Sequence, residues 1–346
     1  MQSHQRILIV AVNWLGDLIF MTPAIRAIRR AYPEGYIACL VPPRGVDLLC
    51  GNPHLDACIP FEESRGWRGI LQWWPLVRRL KQERFDTVFL FHRSFSRTLA
   101  ACLAGIRFRI GYRTWKRGWL LTEAVDPLPK DSVHKVVGYL KIVEAAGLQA
   151  DGMHYDVGLL PEDKKAADAL LRQWGVCAGD RLVALHPGAN WQLKRWPARC
   201  FASLADQLTT QCQVKVVFIG DQKDLPLVEQ ITRQMKTTPL VATGRTSFRQ
   251  LGALLASTRL LISNDSGPLH LGLAVGIPVV GLFGPTVPDL SGPLDRTKAV
   301  ALFGSIGCPV PCYQLQCPVN LCMHEIRVEQ VLQAAENFLN REDSCH

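Results

Sequence analysis

Short apolar runs alternate along the chain with stretches in which apolar residues recur every three or four positions. The runs are apolar throughout, which is typical of parallel strands that helices cover on both faces. The longer stretches have the spacing of amphipathic helices, and the one at residues 134–147 is expected to bury Val137, Leu140, Ile142 and Val143. A further helix is expected around residues 24–28, ended by the proline at 33. The pattern predicts strands at residues 6–12, 36–41, 87–91, 181–185, 214–219, 260–263 and 279–283, and helices at 134–147, 197–208, 225–235, 248–257, 268–275 and 328–339.

The alternation stops once, at residues 148–162, where neither a strand nor a helix pattern continues. We interpret this segment as the connection between two domains, because 346 residues exceed the roughly 150 residues of one domain. The expected fold class is α/β, with two doubly wound Rossmann-like domains, residues 1–155 and 156–346, facing across a cleft. Ligands of such folds bind at the carboxyl ends of the strands.

The composition narrows the class of protein. With 48% hydrophobic and 20% charged residues, the chain is not disordered, collagen-like or a coiled coil. Its apolar runs are shorter than the roughly 18–20 residues of a membrane-spanning helix, and its N-terminus lacks the features of a signal peptide. We therefore expect a cytoplasmic protein, in which the twelve cysteines are thiols or metal ligands.

The positive charge is concentrated in one part of the chain. Residues 62–135 contain 15 Lys and Arg against 7 Asp and Glu, which is nearly all of the net charge of +9. Basic residues beside tryptophan suit an anionic membrane surface, an anionic substrate or nucleic acid, and the alternative is a solvated basic face. No nucleic-acid-binding motif accompanies them, so nucleic acid is not an expected partner. The tryptophans of this stretch are Trp67, Trp73, Trp74, Trp115 and Trp119.

Several common motifs are absent from the sequence. The first strand is not followed by Gly-x-Gly-x-x-Gly, and no glycine-rich loop ends in Gly-Lys-Ser/Thr. Gly-x-Ser-x-Gly and His-Glu-x-x-His are also missing. The sequence motifs therefore do not support any of four enzyme classes: dinucleotide dehydrogenases, P-loop NTPases, serine hydrolases and zinc proteases.

The segment 261–270 combines the end of a strand with the start of a helix. Asp265 or Ser266 can cap this helix, and the backbone N–H groups of Ser266 and Gly267 are expected to point out of its first turn. Such N–H groups and the helix dipole favour an anion, typically phosphate, and His270 could add a donor. The alternative is an ordinary capped helix with a structural histidine.

The segment 186–197 leaves the end of another strand in the same predicted domain. Lys194 and Arg195 precede a helix start, where the dipole disfavours cations. An anionic ligand would offset that cost, whereas the alternative is a surface loop.

Asp17 follows the first strand and so lies at a carboxyl end in the other predicted domain. A carboxylate in that position suits a general base. The alternative is a helix cap, and the residues themselves do not decide between the two.

Five stretches of sequence stand in register along the chain: residues 13–17, 22–24, 194–197, 264–270 and 283–286. Together they resemble glycosyltransferase family 9, the ADP-heptose:lipopolysaccharide heptosyltransferases, and most closely the heptosyltransferase II branch. The resemblance implies a GT-B fold, in which the first domain holds the acceptor and the second holds the nucleotide sugar. In such folds the C-terminal helix often crosses back to the first domain.

The resemblance also implies roles for individual residues. Asp17 matches the catalytic base, and Lys194 matches the lysine at the donor phosphates. Asp224 resembles the acidic residue on the ribose hydroxyls, Thr246 occupies the position beside the adenine, and His134 matches a histidine near the acceptor. The donor-binding loop corresponds to Asp265, Ser266, Gly267 and His270.

The function implied is inverting transfer of a heptose from ADP-heptose to the inner core of lipopolysaccharide, with no cofactor and no catalytic metal. The expected partners are the nucleotide sugar, the lipid A–core acceptor and the anionic cytoplasmic face of the inner membrane, where the protein would be peripheral. One alternative is a family 9 enzyme acting on a protein or another glycan. A second alternative is a catalytically silent nucleotide-sugar-binding protein.

A cysteine-rich loop departs from many members of the family. Four thiols in so short a segment could hold a structural zinc or iron ion, although the spacings are not Cys-x-x-Cys pairs. The alternative is free or redox-labile thiols. The four residues are Cys308, Cys312, Cys317 and Cys322.

Overall fold

The computed structural model describes residues 5–62, 67–177, 179–312, 314 and 316–343. The chain divides into two compact units, Met1–Gly158 and Leu159–His346.

The first unit is a six-stranded parallel sheet with helices between the strands. Its strand order is β3-β2-β1-β4-β5-β6, and in the central strand Leu8 pairs with Ala38 on one side and Val88 on the other. The order reverses between β1 and β4, and the carboxyl ends of two such strands border a crevice that is the usual ligand site. The elements are β1 (Arg6–Val10), α1 (Leu15–Phe20), α2 (Thr22–Ala31), β2 (Tyr36–Val41), α3 (Pro43–Leu49), β3 (Ala57–Pro60), α4 (Trp67–Glu83), β4 (Thr87–Leu90), α5 (Phe95–Leu103), β5 (Phe108–Tyr112), β6 (Glu123–Val125) and α6 (Lys135–Ala145).

The second unit repeats this architecture. Its parallel strand order is β12-β11-β10-β7-β8-β9, with the reversal between β7 and β10. The elements are α7 (Pro161–Gln173), β7 (Leu182–His186), α8 (Ala198–Gln211), β8 (Lys215–Phe218), α9 (Leu225–Thr232), β9 (Leu240–Val241), α10 (Phe248–Leu255), β10 (Leu260–Asn264), α11 (Gly267–Ala274), β11 (Val279–Phe283), α12 (Pro288–Ser291), β12 (Ala299–Phe303), α13 (Leu321–His324) and α14 (Val328–Asp343).

The core of the second unit brings its last helix against its sheet. Phe201 of α8 and Phe338 of α14 belong to one buried cluster with Ile262 of β10. The indole Nε1 of Trp196 donates to the carbonyl oxygen of Ile326, 2.8 Å away. This bond anchors the segment after Lys194 to the chain just before α14.

The predicted α/β class with two doubly wound sheets is confirmed, and some details differ. Strands 36–41 and 279–283 have the expected bounds. In α6 the expected Leu140, Ile142 and Val143 are buried, but Val136 is buried in place of Val137, because Val136 lies four residues before Leu140 on the same face. Part of the expected connection at 148–162 is the start of α7, whose sequence is so polar that its pattern gave no helix. The pattern also missed the helices α1, α3, α4, α5, α12 and α13 and the strands β3, β5, β6, β9 and β12.

Candidate active site

Asp17 lies at the carboxyl end of β1, beside the reversal of the first sheet. It belongs to the first turn of α1, which begins right after the loop that leaves β1. Its side chain is 15% exposed, and Oδ1 accepts a hydrogen bond of 2.8 Å from Nζ of Lys135. A carboxylate at this edge, paired with one cation and open to solvent, has the position and the chemistry of a general base.

His134 forms the start of α6. Its Nδ1 accepts from the backbone N–H of Val136 at 3.2 Å, so the imidazole acts as the N-cap of that helix. The ring is buried and meets Phe20 edge to face, with the centroids 5.4 Å apart. The structure therefore gives His134 a capping role, and its contact with an acceptor stays a prediction.

Arginines brace the loop that carries Asp17. Arg97 is buried and donates to the carbonyl oxygen of Ala11 and to Oδ1 of Asn13, each at 3.0 Å. Arg44 donates to the backbone oxygen of Asn13 at 2.6 and 3.0 Å. These contacts hold the loop between β1 and α1 in place.

In the second unit, Asp265 is the centre of a charged cluster after β10. Its buried carboxylate accepts from Nζ of Lys194 at 2.6 Å and from Oγ1 of Thr286 at 2.7 Å, and Nε2 of His270 lies 4.0 Å away. Burial opposes ionisation, but the charges of Lys194 and His270 and the two hydrogen bonds outweigh it and lower the pKa of Asp265. The cluster therefore contains an ionised carboxylate with a cation at its edge.

The start of α11 is not capped as the sequence suggested. Ser266 is the N-cap residue by its backbone, but its hydroxyl bonds Nδ1 of His186 at 2.9 Å instead of the helix. The carboxylate of Asp265 turns to Lys194. The N–H groups at Gly267 and beyond are therefore left without a side-chain cap from Ser266, which suits an anion site.

Asp224 lies in the turn after β8, beside the loop that follows β7. A Cβ on Gly188 would overlap its carboxylate, so a side chain at this position would require the carboxylate to move. The carboxylate accepts from the N–H of Asp221 at 3.1 Å and lies 3.7 Å from His186 and 3.8 Å from Arg195. Burial opposes ionisation of Asp224, but these partners outweigh it and lower its pKa. Its contact with ribose hydroxyls stays a prediction, as does that of Thr246, which is half-buried in the loop after β9.

Sequence reasoning missed Lys135 and Thr286 as functional candidates. Lys135 adjoins His134 and is a cation at a helix start, the same signal that pointed to Lys194. Thr286 stands in one of the resembling stretches, but its carboxylate partner is 21 residues away in sequence. Neither contact could be derived from spacing.

The cysteine-rich loop does not form a ligand set. Cys308 is exposed, whereas Cys317 accepts a contact from the N–H of Asn320 at 3.4 Å and Cys322 packs beside Gly284. Within the described ranges, no three His, Cys, Asp or Glu side chains are grouped so that they could hold a metal ion. In this structure, the four cysteines do not surround one point where zinc or iron could bind, and a structural metal ion at this loop stays a prediction.

The basic stretch of the first unit has both an interior and a surface part. Arg117 is fully buried, and burial lowers its pKa to about 10. By contrast, Trp74, Trp115 and Trp119 are 61%, 87% and 72% exposed. The side chain of Trp67 lies outside the described part. None of the helices that the structure describes has the length and apolarity needed to span a membrane.

Each of the two parallel α/β units has charged residues at the reversal of its sheet, which is where doubly wound folds bind their ligands. The family model described as "Glycosyltransferase family 9 (heptosyltransferase)" matches residues 73–322. The chain therefore belongs to glycosyltransferase family 9. The expected family and the expected class of enzyme, a glycosyltransferase, are confirmed.

Individual relatives are similar over most of the chain. Lipopolysaccharide heptosyltransferase 2 of Escherichia coli K12 is 27% identical over 305 residues, which are 85% of this chain and 87% of that protein. Lipopolysaccharide core heptosyltransferase OpsX of Haemophilus influenzae is 25% identical, over 86% of this chain and 84% of its own length.

Solved structures match as well. The family 9 glycosyltransferase from Veillonella parvula is 26% identical, with a TM-score of 0.87 and coverage of 98% of both chains. The E. coli ADP-heptose lipopolysaccharide heptosyltransferase II is 25% identical, with a TM-score of 0.82, over 98% of this chain and all of that one.

Proposed function

We propose that this enzyme transfers a heptose from ADP-heptose to the inner core of lipopolysaccharide, with inversion at the anomeric carbon. The observation that carries the proposal is the cluster of Lys194, Asp265 and Thr286 at the start of α11, where the diphosphate of the donor would bind. Support for the donor and acceptor comes from the relatives named as lipopolysaccharide heptosyltransferases and from the structure named for ADP-heptose.

The second unit would hold the donor. The ammonium of Lys194 and the N–H groups at the start of α11 would bind the diphosphate and stabilise the negative charge that develops as it departs. This positive charge from the chain itself is why we propose a metal-independent reaction. Asp224 would bind the ribose hydroxyls, since a carboxylate can accept from two hydroxyls, and Thr246 would lie beside the adenine.

The first unit would act on the acceptor. Asp17 would take the proton of an acceptor hydroxyl as that oxygen attacks the anomeric carbon, through an oxocarbenium-like transition state. The attack and the departure of ADP from the opposite side of the sugar give inversion in a single displacement.

The acceptor is a lipid, and we propose that the protein is peripheral at the cytoplasmic face of the inner membrane. Exposed tryptophans and neighbouring cations are the side chains that suit an anionic interface. Nζ of Lys116 lies 4.9 Å from the ring centroid of Trp115, and Arg78 and Arg79 are exposed on α4.

The test is release of ADP from ADP-heptose in the presence of a panel of acceptors. The panel contains lipid A–core molecules truncated at successive sugars, an unrelated glycan and a protein acceptor. Release with one truncated core only supports the proposal. Release with the protein or the unrelated glycan favours a different acceptor class, and binding of ADP-heptose without any release favours the silent binding protein.

A further inference from the structure

Lys135 reaches the proposed base from the first turn of α6. Its Nζ lies 2.8 Å from Oδ1 of Asp17, and the side chains are 50% and 15% exposed. Among the residues that the structure describes, Lys135 is the one hydrogen-bond donor to this carboxylate. The contact therefore occupies one carboxylate oxygen and leaves Oδ2 to another partner.

A lysine at this position is not explained by the helix. Lys135 is the first residue of α6, where the helix dipole disfavours a cation. Capping is already supplied by His134, whose Nδ1 accepts from the backbone of Val136. The compensation comes from outside the helix, through the carboxylate of Asp17 and the ring of Phe20, whose centroid is 5.7 Å from Nζ.

The surroundings fix this contact in space. Phe20 is one turn beyond Asp17 on α1, and its edge-to-face contact with His134 joins α1 to α6. One turn beyond Lys135, burial and the nearby carboxylate of Asp17 raise the pKa of Tyr139, so its phenol is neutral at physiological pH. On α6, Asp17 thus faces the ammonium of Lys135 and the neutral phenol of Tyr139.

We propose that Lys135 is a positioning residue: by binding Oδ1 it orients Asp17 so that Oδ2 takes the proton of the acceptor hydroxyl. This inference rests on the proposed function, because it requires Asp17 to be the base. In the step, the O–H bond of the acceptor breaks and its proton goes to Oδ2. The acceptor oxygen bonds to the anomeric carbon, and the bond from that carbon to the diphosphate breaks, with its electron pair leaving on ADP.

The test compares Lys135→Ala with Lys141→Ala in the full chain. Lys141 is a matched control, since it lies on the same helix, is 48% exposed and pairs with Glu144 at 2.7 Å. We expect kcat to fall about 10- to 100-fold in Lys135→Ala, because a misplaced base costs rate and not donor binding. The donor KM and the melting temperature should stay at wild-type values in both variants, and Lys141→Ala should keep the wild-type kcat.

Two rescue measurements separate positioning from a structural role. Lys135→Arg should recover part of kcat, and added ethylammonium should raise the rate of Lys135→Ala but not that of Asp17→Ala. Equal kcat in Lys135→Ala and Lys141→Ala would overturn the inference. A rise of the acceptor KM alone would also overturn it, because Lys135 would then bind the acceptor. Failure of the proposed function looks different, because the wild-type chain itself would then release no ADP with any core acceptor.

Discussion

The ammonium of Lys194 lies 2.6 Å from Oδ2 of Asp265, at the edge of the second unit's charged cluster. An ammonium has three N–H donors, so this contact leaves two for the oxygens of a diphosphate. The buried carboxylate of Asp265 thereby holds the lysine side chain in place while its charge stays available to a ligand. The donor diphosphate and Asp265 would therefore both bind Lys194. Because its side chain is already held in place, donor binding would not cost the entropy of ordering it.

This arrangement predicts different effects for two donor-site variants. Lys194→Ala should weaken ADP binding about 10- to 100-fold, because a hydrogen bond to a charged group contributes roughly 1.5–3 kcal/mol. Ser266→Ala should weaken it less than about 10-fold, since the hydroxyl bonds His186. Calorimetric titration with ADP measures both, with Lys223→Ala, at a site 88% exposed, as the control. Wild-type affinity in Lys194→Ala would remove this lysine from the site.

Asp17→Ala should reduce turnover without weakening donor binding, in contrast to Lys194→Ala. We expect kcat to fall about 10²–10⁴-fold, the usual contribution of a general base, while the Kd for ADP-heptose stays unchanged. The physical reason is that the base acts on the acceptor hydroxyl. Steady-state kinetics and donor calorimetry check the two halves of the expectation, and a collapse of donor binding would place Asp17 in the donor site instead.

A buried and an exposed arginine pair with the same carboxylate, so their contributions to stability can be compared directly. Arg26 and Arg30 both pair with Asp151, but their side chains are 6% and 64% exposed. Arg26→Ala leaves Asp151 and Asp156 without their buried cation and should lower the free energy of unfolding by about 3 kcal/mol. Arg30→Ala should cost less than about 1 kcal/mol. Denaturant titration measures the free energy of unfolding of both variants. Equal losses in the two would contradict the larger contribution expected of the buried Arg26.

The same network predicts a pH dependence of stability. Burial opposes ionisation of Asp151, but hydrogen bonds and charge from Arg26 and Arg30 outweigh it and lower its pKa to about 2. Because the folded-state pKa lies below the usual value of about 4, this stabilisation is present above pH 4 and is lost as the pH falls towards 2. The difference in melting temperature between the wild type and Asp151→Asn should therefore shrink over that interval. If the difference in melting temperature stays constant between pH 4 and pH 2, Arg26 and Arg30 do not lower the pKa of Asp151.

A methyl group at Gly188 should disturb the second unit. The added Cβ would overlap the carboxylate of Asp224, and such overpacking typically costs about 1–3 kcal/mol. Gly179→Ala is the control, since a Cβ there meets nothing within 4 Å. Thermal melting should separate the two variants, and ADP affinity should fall only in Gly188→Ala. Equal melting temperatures would show that Asp224 moves away at no cost.

Association with membranes should depend on salt. Binding to anionic vesicles should fall steeply with ionic strength, because exposed charges are screened beyond about 8 Å at physiological salt. The paired change Arg78→Glu and Arg79→Glu should weaken it and raise the acceptor KM, whereas Arg233→Glu and Arg296→Glu in the second unit should not. Vesicle sedimentation measures this. Equal binding to neutral vesicles would favour a solvated basic face.

The sequence predicted the fold best where a short apolar run forms a buried strand. The strands at 36–41 and 279–283 are apolar, nearly fully buried and flanked by a strand on each side, so their bounds could be predicted. The edge strand β6 (Glu123–Val125) has only three residues and is not buried, so its sequence shows no clear apolar run. Side-chain partners were beyond prediction for a different reason, because Asp17 and Lys135 are separated by 118 residues and only the folded sheet brings them together.

The close packing of Gly158 on Gly51 determines where this chain can be divided into fragments. A Cβ on Gly158 would overlap the carbonyl oxygen of Gly51, and the N–H and carbonyl oxygen of Asp156 are bonded to Thr22 and Asn52 at 3.0 Å. A fragment ending at residue 155 would lose these bonds, whereas one ending at Gly158 keeps them. A fragment beginning at Leu159 retains its own helix start, where the N–H of residue 160 donates to Oδ2 of residue 163 at 3.0 Å. Cutting the chain after Gly158 therefore preserves these terminal hydrogen bonds of both units.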